Sequence, residues 1–111
     1  ICLALAERGA SVAVLDLRED AARAVSHLIS ERGRPSLPVK GDVTSRDSIE
    51  AVLDQVQRQL GPPDILINGA GGNLKEATTS AGLTFFNLPI EAIRAVLDLN
   101  FVGAFICCQV F

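Results

Sequence analysis

Apolar positions in this chain alternate between short unbroken runs and stripes at helical spacing. Val12-Ala13-Val14-Leu15 is an almost wholly apolar run ending at Asp16, the pattern of a strand buried on both faces of a parallel sheet. Residues 19 to 32 set Ala21, Ala22, Val25, Leu28 and Ile29 on one face and stop at Gly33, which predicts an amphipathic helix. Leu37 to Lys40 predicts a second, weaker strand, followed by Gly41-Asp42-Val43. Thr44 and Asp47 resemble a capping box, and the helix they open turns Ile49, Val52, Leu53, Val56 and Leu60 inward before Gly61-Pro62-Pro63 stops it. Ile65-Leu66-Ile67 predicts a third buried strand and runs directly into Asn68-Gly69-Ala70-Gly71-Gly72-Asn73. A polar stretch continues to Leu88. The last helix starts near Pro89, a residue suited to an early helical position, and carries an apolar stripe through Ile93, Val96, Leu97, Ala104 and Cys108. At the other end, residues 1 to 8 read as the end of a helix with Gly9 as a left-handed stop.

Strands alternating with helices of this length predict an α/β fold, a Rossmann-like doubly wound parallel sheet covered on both faces. The expected unit is a single domain over residues 1–111, incomplete at both ends. Ile1 begins inside an apolar stripe, and Phe105 to Phe111 stop inside another with neither cap nor breaker. Composition agrees with a globular domain: 49% of residues are hydrophobic and 21% charged. A net charge of −3 gives no electrostatic footprint for nucleic acid or an anionic membrane surface. No unbroken apolar run reaches the roughly 18 residues of a membrane span, and Ile1-Cys2-Leu3-Ala4 lacks a basic leader. The cysteines are Cys2, Cys107 and Cys108. An odd count with two adjacent fits neither a disulfide framework nor a zinc site. They are expected as buried small hydrophobes in a reducing, cytoplasmic compartment.

In such a sheet ligands bind outside the carboxyl ends of the strands, and three strand ends here carry suitable residues. Asp16 suits the ribose hydroxyls of an adenosine, and it also suits a plain acid at the opening of a helix; both readings stand at this point. As a ribose ligand it repels a 2′-phosphate by about 4 kcal/mol per unit charge at about 4 Å and an effective dielectric near 20, with Arg18 close enough to soften the bias. Asp42-Val43 suits an adenine amino group and ring, or a turn before a capped helix. Asn68-Gly69-Ala70-Gly71 is small enough for close backbone approach, and its glycines tolerate positive φ. Asn100 lies on the apolar stripe of the last helix, where a buried amide has to find partners or cost about 1–3 kcal/mol.

The series Asp16, Asp42-Val43, Asn68-x-Ala70-Gly71 and Asn100 resembles the short-chain dehydrogenases/reductases along the whole chain. The resemblance implies that Asp16 and Leu17 take the ribose position, Asp42 and Val43 the adenine position, and Asn68, Gly69, Ala70 and Gly71 the cofactor-lining turn. It implies a catalytic part for Asn100, whose backbone holds a water of the proton relay. NAD is the implied cofactor, in preference to NADP. Gly69 stands where the family has a second Asn, and the stretch between Gly71 and Asn100 is longer than usual. Gly71-Gly72-Asn73, Ala77-Thr78-Thr79, Phe85-Phe86 and Leu97 to Phe101 resemble the D-mannonate oxidoreductase (fructuronate reductase) branch. That implies a small carbonyl or alcohol substrate, a sugar acid such as D-fructuronate or D-mannonate, and a homo-oligomeric parent with no nucleic-acid or membrane partner. Lys75 in the longer stretch is either a ligand for a sugar-acid carboxylate or a solvated loop cation. The family's Ser and Tyr-x-x-x-Lys are absent from these residues, since the chain has no Tyr; they are expected beyond Phe111, with the Gly-rich phosphate loop before Ile1. Alternatives are another sugar or acyl reductase of this family, or a non-catalytic dinucleotide-binding regulator.

Overall fold

The computed structural model describes residues 1–111. Its elements in chain order are α1 (Cys2–Glu7), β1 (Val12–Asp16), α2 (Glu19–Ser30), β2 (Ser36–Lys40), α3 (Arg46–Leu60), α4 (Ile90–Leu97) and α5 (Gly103–Val110). A π turn over Asp98–Val102 joins the last two, and short 3₁₀ turns occupy Lys75–Ala77 and Phe85–Asn87. β1 and β2 pair in parallel, with Val12 opposite Ser36 and Asp16 opposite Lys40. Side-chain alternation then divides the packing between two faces. Val12 and Val14 meet Ala6 of α1 and Ala22 and Ile29 of α2. On the other face Ala13, Leu15, Leu37 and Val39 meet Val52 and Val56 of α3. Helices therefore cover both faces, as the doubly wound pattern requires.

Pro38 lies in the middle of β2, opposite Val14. A proline has no N–H for a ladder, and it is tolerated because β2 is paired on one side only. Buried Ser26 on α2 donates to Ser36 Oγ at 2.8 Å, and Ser36 Oγ donates to the Val12 carbonyl at 3.2 Å. Leu28, which the apolar pattern had placed on the inner face, is 43% exposed, while Ser26 is buried.

Several expectations need correction. Ile65-Leu66-Ile67 is not a strand: the sheet has only β1 and β2, and Ile65 is 69% exposed. A strand exists only through a partner. In the doubly wound order 3-2-1-4, the positions matching β1 and 65–67 are not neighbours, so neither can complete the other's ladder. The capping box is displaced by one residue. Ser45 is the N-cap of α3 and accepts from the Ser48 N–H at 3.3 Å, while Thr44 is bound back to Asp42. Pro89 is the N-cap of α4 rather than a residue of its first turn. The helix from Ile90 to Val110 runs 21 residues with a mean hydropathy of 1.6 in its most apolar stretch, long and apolar enough by length and composition to cross a membrane. It is not an unbroken apolar run, because Glu91, Arg94, Asp98 and Asn100 punctuate it. In the fold α4 leans on the 3₁₀ turn Lys75–Ala77 and α5 packs on α3.

Coverage is thin. The Cα radius of gyration is 16.5 Å, against about 13 Å for a compact domain of this length. Leu97, Phe101 and Phe105 are 55%, 70% and 54% exposed.

Candidate functional site

Parallel pairing fixes where the chemistry collects, because both strands end on the same edge. Asp16 closes β1, and the Gly41 N–H donates to its carbonyl at 3.1 Å, so the Gly41-Asp42-Val43 corner leaves β2 beside it. The Asp16 carboxylate accepts from the Arg18 N–H at 2.8 Å through Oδ1, which shapes the turn into α2. Oδ2 has no intramolecular partner and faces solvent. The two readings of Asp16 are therefore compatible. The Arg18 guanidinium forms no ion pair with it, so the softening expected from Arg18 has no contact behind it. Leu17, beside it, is 62% exposed.

Asp42 also shapes a turn. Its Oδ1 accepts from Thr44 Oγ1 at 2.7 Å and from the Thr44 N–H at 2.9 Å, and its own N–H donates to Ser48 Oγ at 2.9 Å. The Thr44 hydroxyl, and then its amide, hold the Asp42 carboxyl below the ordinary aspartate value. Val43 is buried against Ile49 and Cys107. Gly103 allows that packing: a Cβ there would stand 2.8 Å from Val43 Cγ2.

A cavity of about 40 Å³ brings Leu15 and Val43 together with Ile67, Asn68, Gly69 and Ala70, so the strand ends and the glycine-rich turn do share one place. Gly69 has nothing within 4 Å of the position of a Cβ, which leaves its backbone open to approach. Asn68 Nδ2 donates to Cys108 Sγ at 3.3 Å. None of the glycines from Gly69 to Gly72 uses positive φ; only Gly9, Gly33 and Gly61 do. The expectation of special backbone angles in this turn is corrected to one of space. A Cβ on Gly71 would lie 2.7 Å from Asn100 Oδ1.

Asn100 itself is exposed rather than buried, yet both ends of its amide are engaged. Oδ1 accepts from the Gly72 N–H at 3.0 Å, and Nδ2 donates to the Gly72 and Val96 carbonyls, each at 2.7 Å. Helical periodicity placed it on an apolar face; what surrounds it is a loop backbone, not a core. It sits at the centre of the π turn, a widened turn often found at functional sites. The stripe expected through Cys108 is also corrected. Cys107 is the buried cysteine, Cys108 is exposed and Cys2 is half-buried, because α5 meets Val43 and Ile49 through Gly103 and Cys107. Burial, with Cys108 next to it, pushes the Cys107 thiol up.

Two features at the strand ends suit a dinucleotide, a carboxylate oxygen of Asp16 that no protein group takes and a small-residue turn open at Gly69; the small cavity lies at that turn and at Leu15 and Val43, with neither aspartate in its lining. Sequence reasoning did not find the second cavity, of about 420 Å³, lined by Asn73, Leu74, Lys75, Thr78, Thr79 and Ser80. The polar residues after Gly72, and Lys75 read as either a carboxylate ligand or a solvated cation, were the signals for it.

The family model described as short chain dehydrogenase matches residues 1–111. An uncharacterised oxidoreductase of Haemophilus influenzae is 37% identical over 117 residues, which is 96% of this chain and 41% of that protein. A solved structure of a proposed D-mannonate oxidoreductase from Haemophilus, with bound NAD, superposes with a TM-score of 0.92 at 37% identity, covering 96% of this chain and 42% of that one. A 7α-hydroxysteroid dehydrogenase complexed with NADH and 7-oxo glycochenodeoxycholic acid has a TM-score of 0.83 at 32% identity, covering 98% of this chain and 40% of that one. The chain thus spans about two-fifths of the length of the relatives it matches.

Proposed function

The chain belongs to the short-chain dehydrogenase family, and from that premise we propose that it is the cofactor-binding part of a longer NAD(H)-dependent oxidoreductase acting on a sugar acid, with D-fructuronate reduced to D-mannonate. One observation carries the reading: Leu15, Val43 and Asn68 to Ala70 share a cavity at the carboxyl edge of the sheet, beside a carboxylate with one oxygen free. Bound NADH would supply the hydride for this reduction and leave as NAD; in the reverse oxidation NAD would accept it. Asp16 holds the ribose hydroxyls and, with Leu17, turns away a 2′-phosphate. Asp42 and Val43 meet the adenine, with Asp42 kept ionised by Thr44. Asn68, Gly69, Ala70 and Gly71 line the cofactor with backbone. Asn100 grips Gly72 with its side chain, which leaves its backbone carbonyl to hold a water of the proton relay. The substrate is supported by the relatives, since the proposed D-mannonate oxidoreductase with bound NAD is 37% identical to this chain. The unpaired cysteines suit a cytoplasmic enzyme, and the exposed Leu97, Phe101 and Phe105 suit burial in a homo-oligomer.

Steady-state kinetics of the full-length protein test this with NAD(H) and NADP(H), against ketouronates, neutral sugars and acyl ketones. The expected result is NAD(H) preference, narrowed by Asp16→Ala, with activity on keto-sugar acids. NADP(H) preference in the unmodified enzyme, or activity confined to acyl ketones, overturns the respective half of the reading.

A further inference from the structure

The cavity after Gly72 has a chemistry that the cofactor does not use. Of its six lining residues only Leu74 is hydrophobic; Asn73, Lys75, Thr78, Thr79 and Ser80 supply the rest, and no carboxylate lines it. The walls are internally braced. Asn73 Nδ2 donates to Thr78 Oγ1 at 2.8 Å, Thr78 Oγ1 donates to the Leu74 carbonyl at 3.0 Å, and the Leu74 N–H donates to Asn73 Oδ1 at 2.9 Å. Ser80 and Leu83 exchange backbone hydrogen bonds at 2.9 and 3.2 Å, which tie the loop just after the lining residues. These bonds leave a defined set of groups unused. Lys75 forms no ion pair, and the hydroxyls of Thr79 and Ser80 have no intramolecular partner. These spare donors beside one cation, in an open groove whose lining residues are all exposed, fit an anion that carries hydroxyl acceptors. The volume, about 420 Å³, lies in the range of small-molecule sites. Its position matters equally: Asn73 directly follows Gly72, the residue clamped on both sides by Asn100.

We infer that this cavity is the subsite for the carboxylate end of a polyhydroxylated acid, with Lys75 as the charge partner and Thr79 and Ser80 as hydroxyl partners. The inference rests on the oxidoreductase reading above and deepens it, by naming the residues that select an acid over a neutral sugar. Lys75 is a specificity residue here, not a participant in hydride transfer.

Calorimetric titration of the NAD-loaded full-length protein with sodium D-mannonate and with D-mannitol, its neutral counterpart, gives the test. The acid is expected to bind about tenfold or more tightly than the polyol. Lys75→Met is expected to weaken the acid by about tenfold, leaving D-mannitol, NAD affinity and melting temperature unchanged; Lys75→Arg recovers part of the loss. Equal acid binding in wild type and Lys75→Met overturns the subsite. NAD binding without any D-mannonate binding also overturns it, while the dehydrogenase reading survives. Failure to bind NAD at all overturns both.

Discussion

Replacing Gly71 by alanine probes the clamp between the glycine-rich turn and the last helix. The new Cβ would stand 2.7 Å from Asn100 Oδ1 and 3.7 Å from its Cγ, the first well inside van der Waals contact. Gly71 does not have positive φ, so space is the whole of the conflict. Relief requires the Asn100 amide to retreat, and it is pinned by three hydrogen bonds of 2.7 to 3.0 Å. At a net worth of about 1 kcal/mol each, complete release costs about 3 kcal/mol. The site is exposed and water replaces part of what is lost, so about 1–2 kcal/mol is the expected destabilisation. Asn100→Ala abolishes the same bonds and is expected to cost a similar amount. In the double variant the alanine methyl meets nothing, so the pair is expected to cost no more than Asn100→Ala alone. The resulting coupling is about 1–2 kcal/mol. Urea unfolding of the full-length wild type, the two single variants and the double variant measures it. Additivity within about 0.5 kcal/mol would refute the clamp. Kinetics add a second readout: Asn100→Ala should lower kcat by about tenfold or more, while NAD affinity, which depends on other strand ends, stays nearly constant.

Thr44→Val removes the strongest support for the ionised Asp42. Its pKa is then expected to rise toward the ordinary aspartate value, which a carbon-detected NMR titration of the carboxyl reads directly; no movement refutes the assignment. Because the folded-state pKa is depressed, the stability it contributes is present above the unfolded-state pKa and is lost as pH falls through the folded one. The wild-type advantage over Thr44→Val should thus begin to shrink as pH falls below about 4 and disappear only below the depressed folded-state pKa. The isolated 111-residue chain, with its free β1 edge and exposed Leu97, Phe101 and Phe105, is expected to self-associate or fold poorly. Sedimentation with thermal melts decides this, and a sharp, concentration-independent transition of a monomer would refute it.

Features decided by neighbours in sequence were legible in it. Gly9, Gly33 and Gly61 all have positive φ where the pattern ended helices, and the Val12–Leu15 run is a strand covered on both faces. Features decided across the chain were not. Ile65-Leu66-Ile67 has strand composition, but a ladder needs a neighbour that periodicity cannot supply. The partner of Asn100 is Gly72, 28 residues away, so the helical pattern saw an amide on an apolar face and read burial. The cap moved from Thr44 to Ser45 because Asp42 competes for Thr44, a contest between two short-range bonds of similar strength. Of the residues read as cofactor ligands, Val43, Asn68, Gly69 and Ala70 line one cavity, while Asp16, Leu17, Asp42 and Gly71 lie outside its lining; the cavity near Lys75 includes a loop tied by Ser80 and Leu83 that no regular period announces.

The widened turn at Asp98–Val102 makes the last helix a coupling of fixed phase. Its first half is set against the Lys75–Ala77 turn and its second half against α3 and Val43, and each docking surface demands its own angular setting. One residue of an α-helix corresponds to about 100° of rotation. Losing or gaining a single residue between Leu97 and Gly103 would therefore swing one half away from its seat while the other stayed put. Substitutions along this segment are a matter of degree; a change of length is a matter of alignment, since it would disconnect the loop around Lys75 from the sheet edge at Asp16 and Val43.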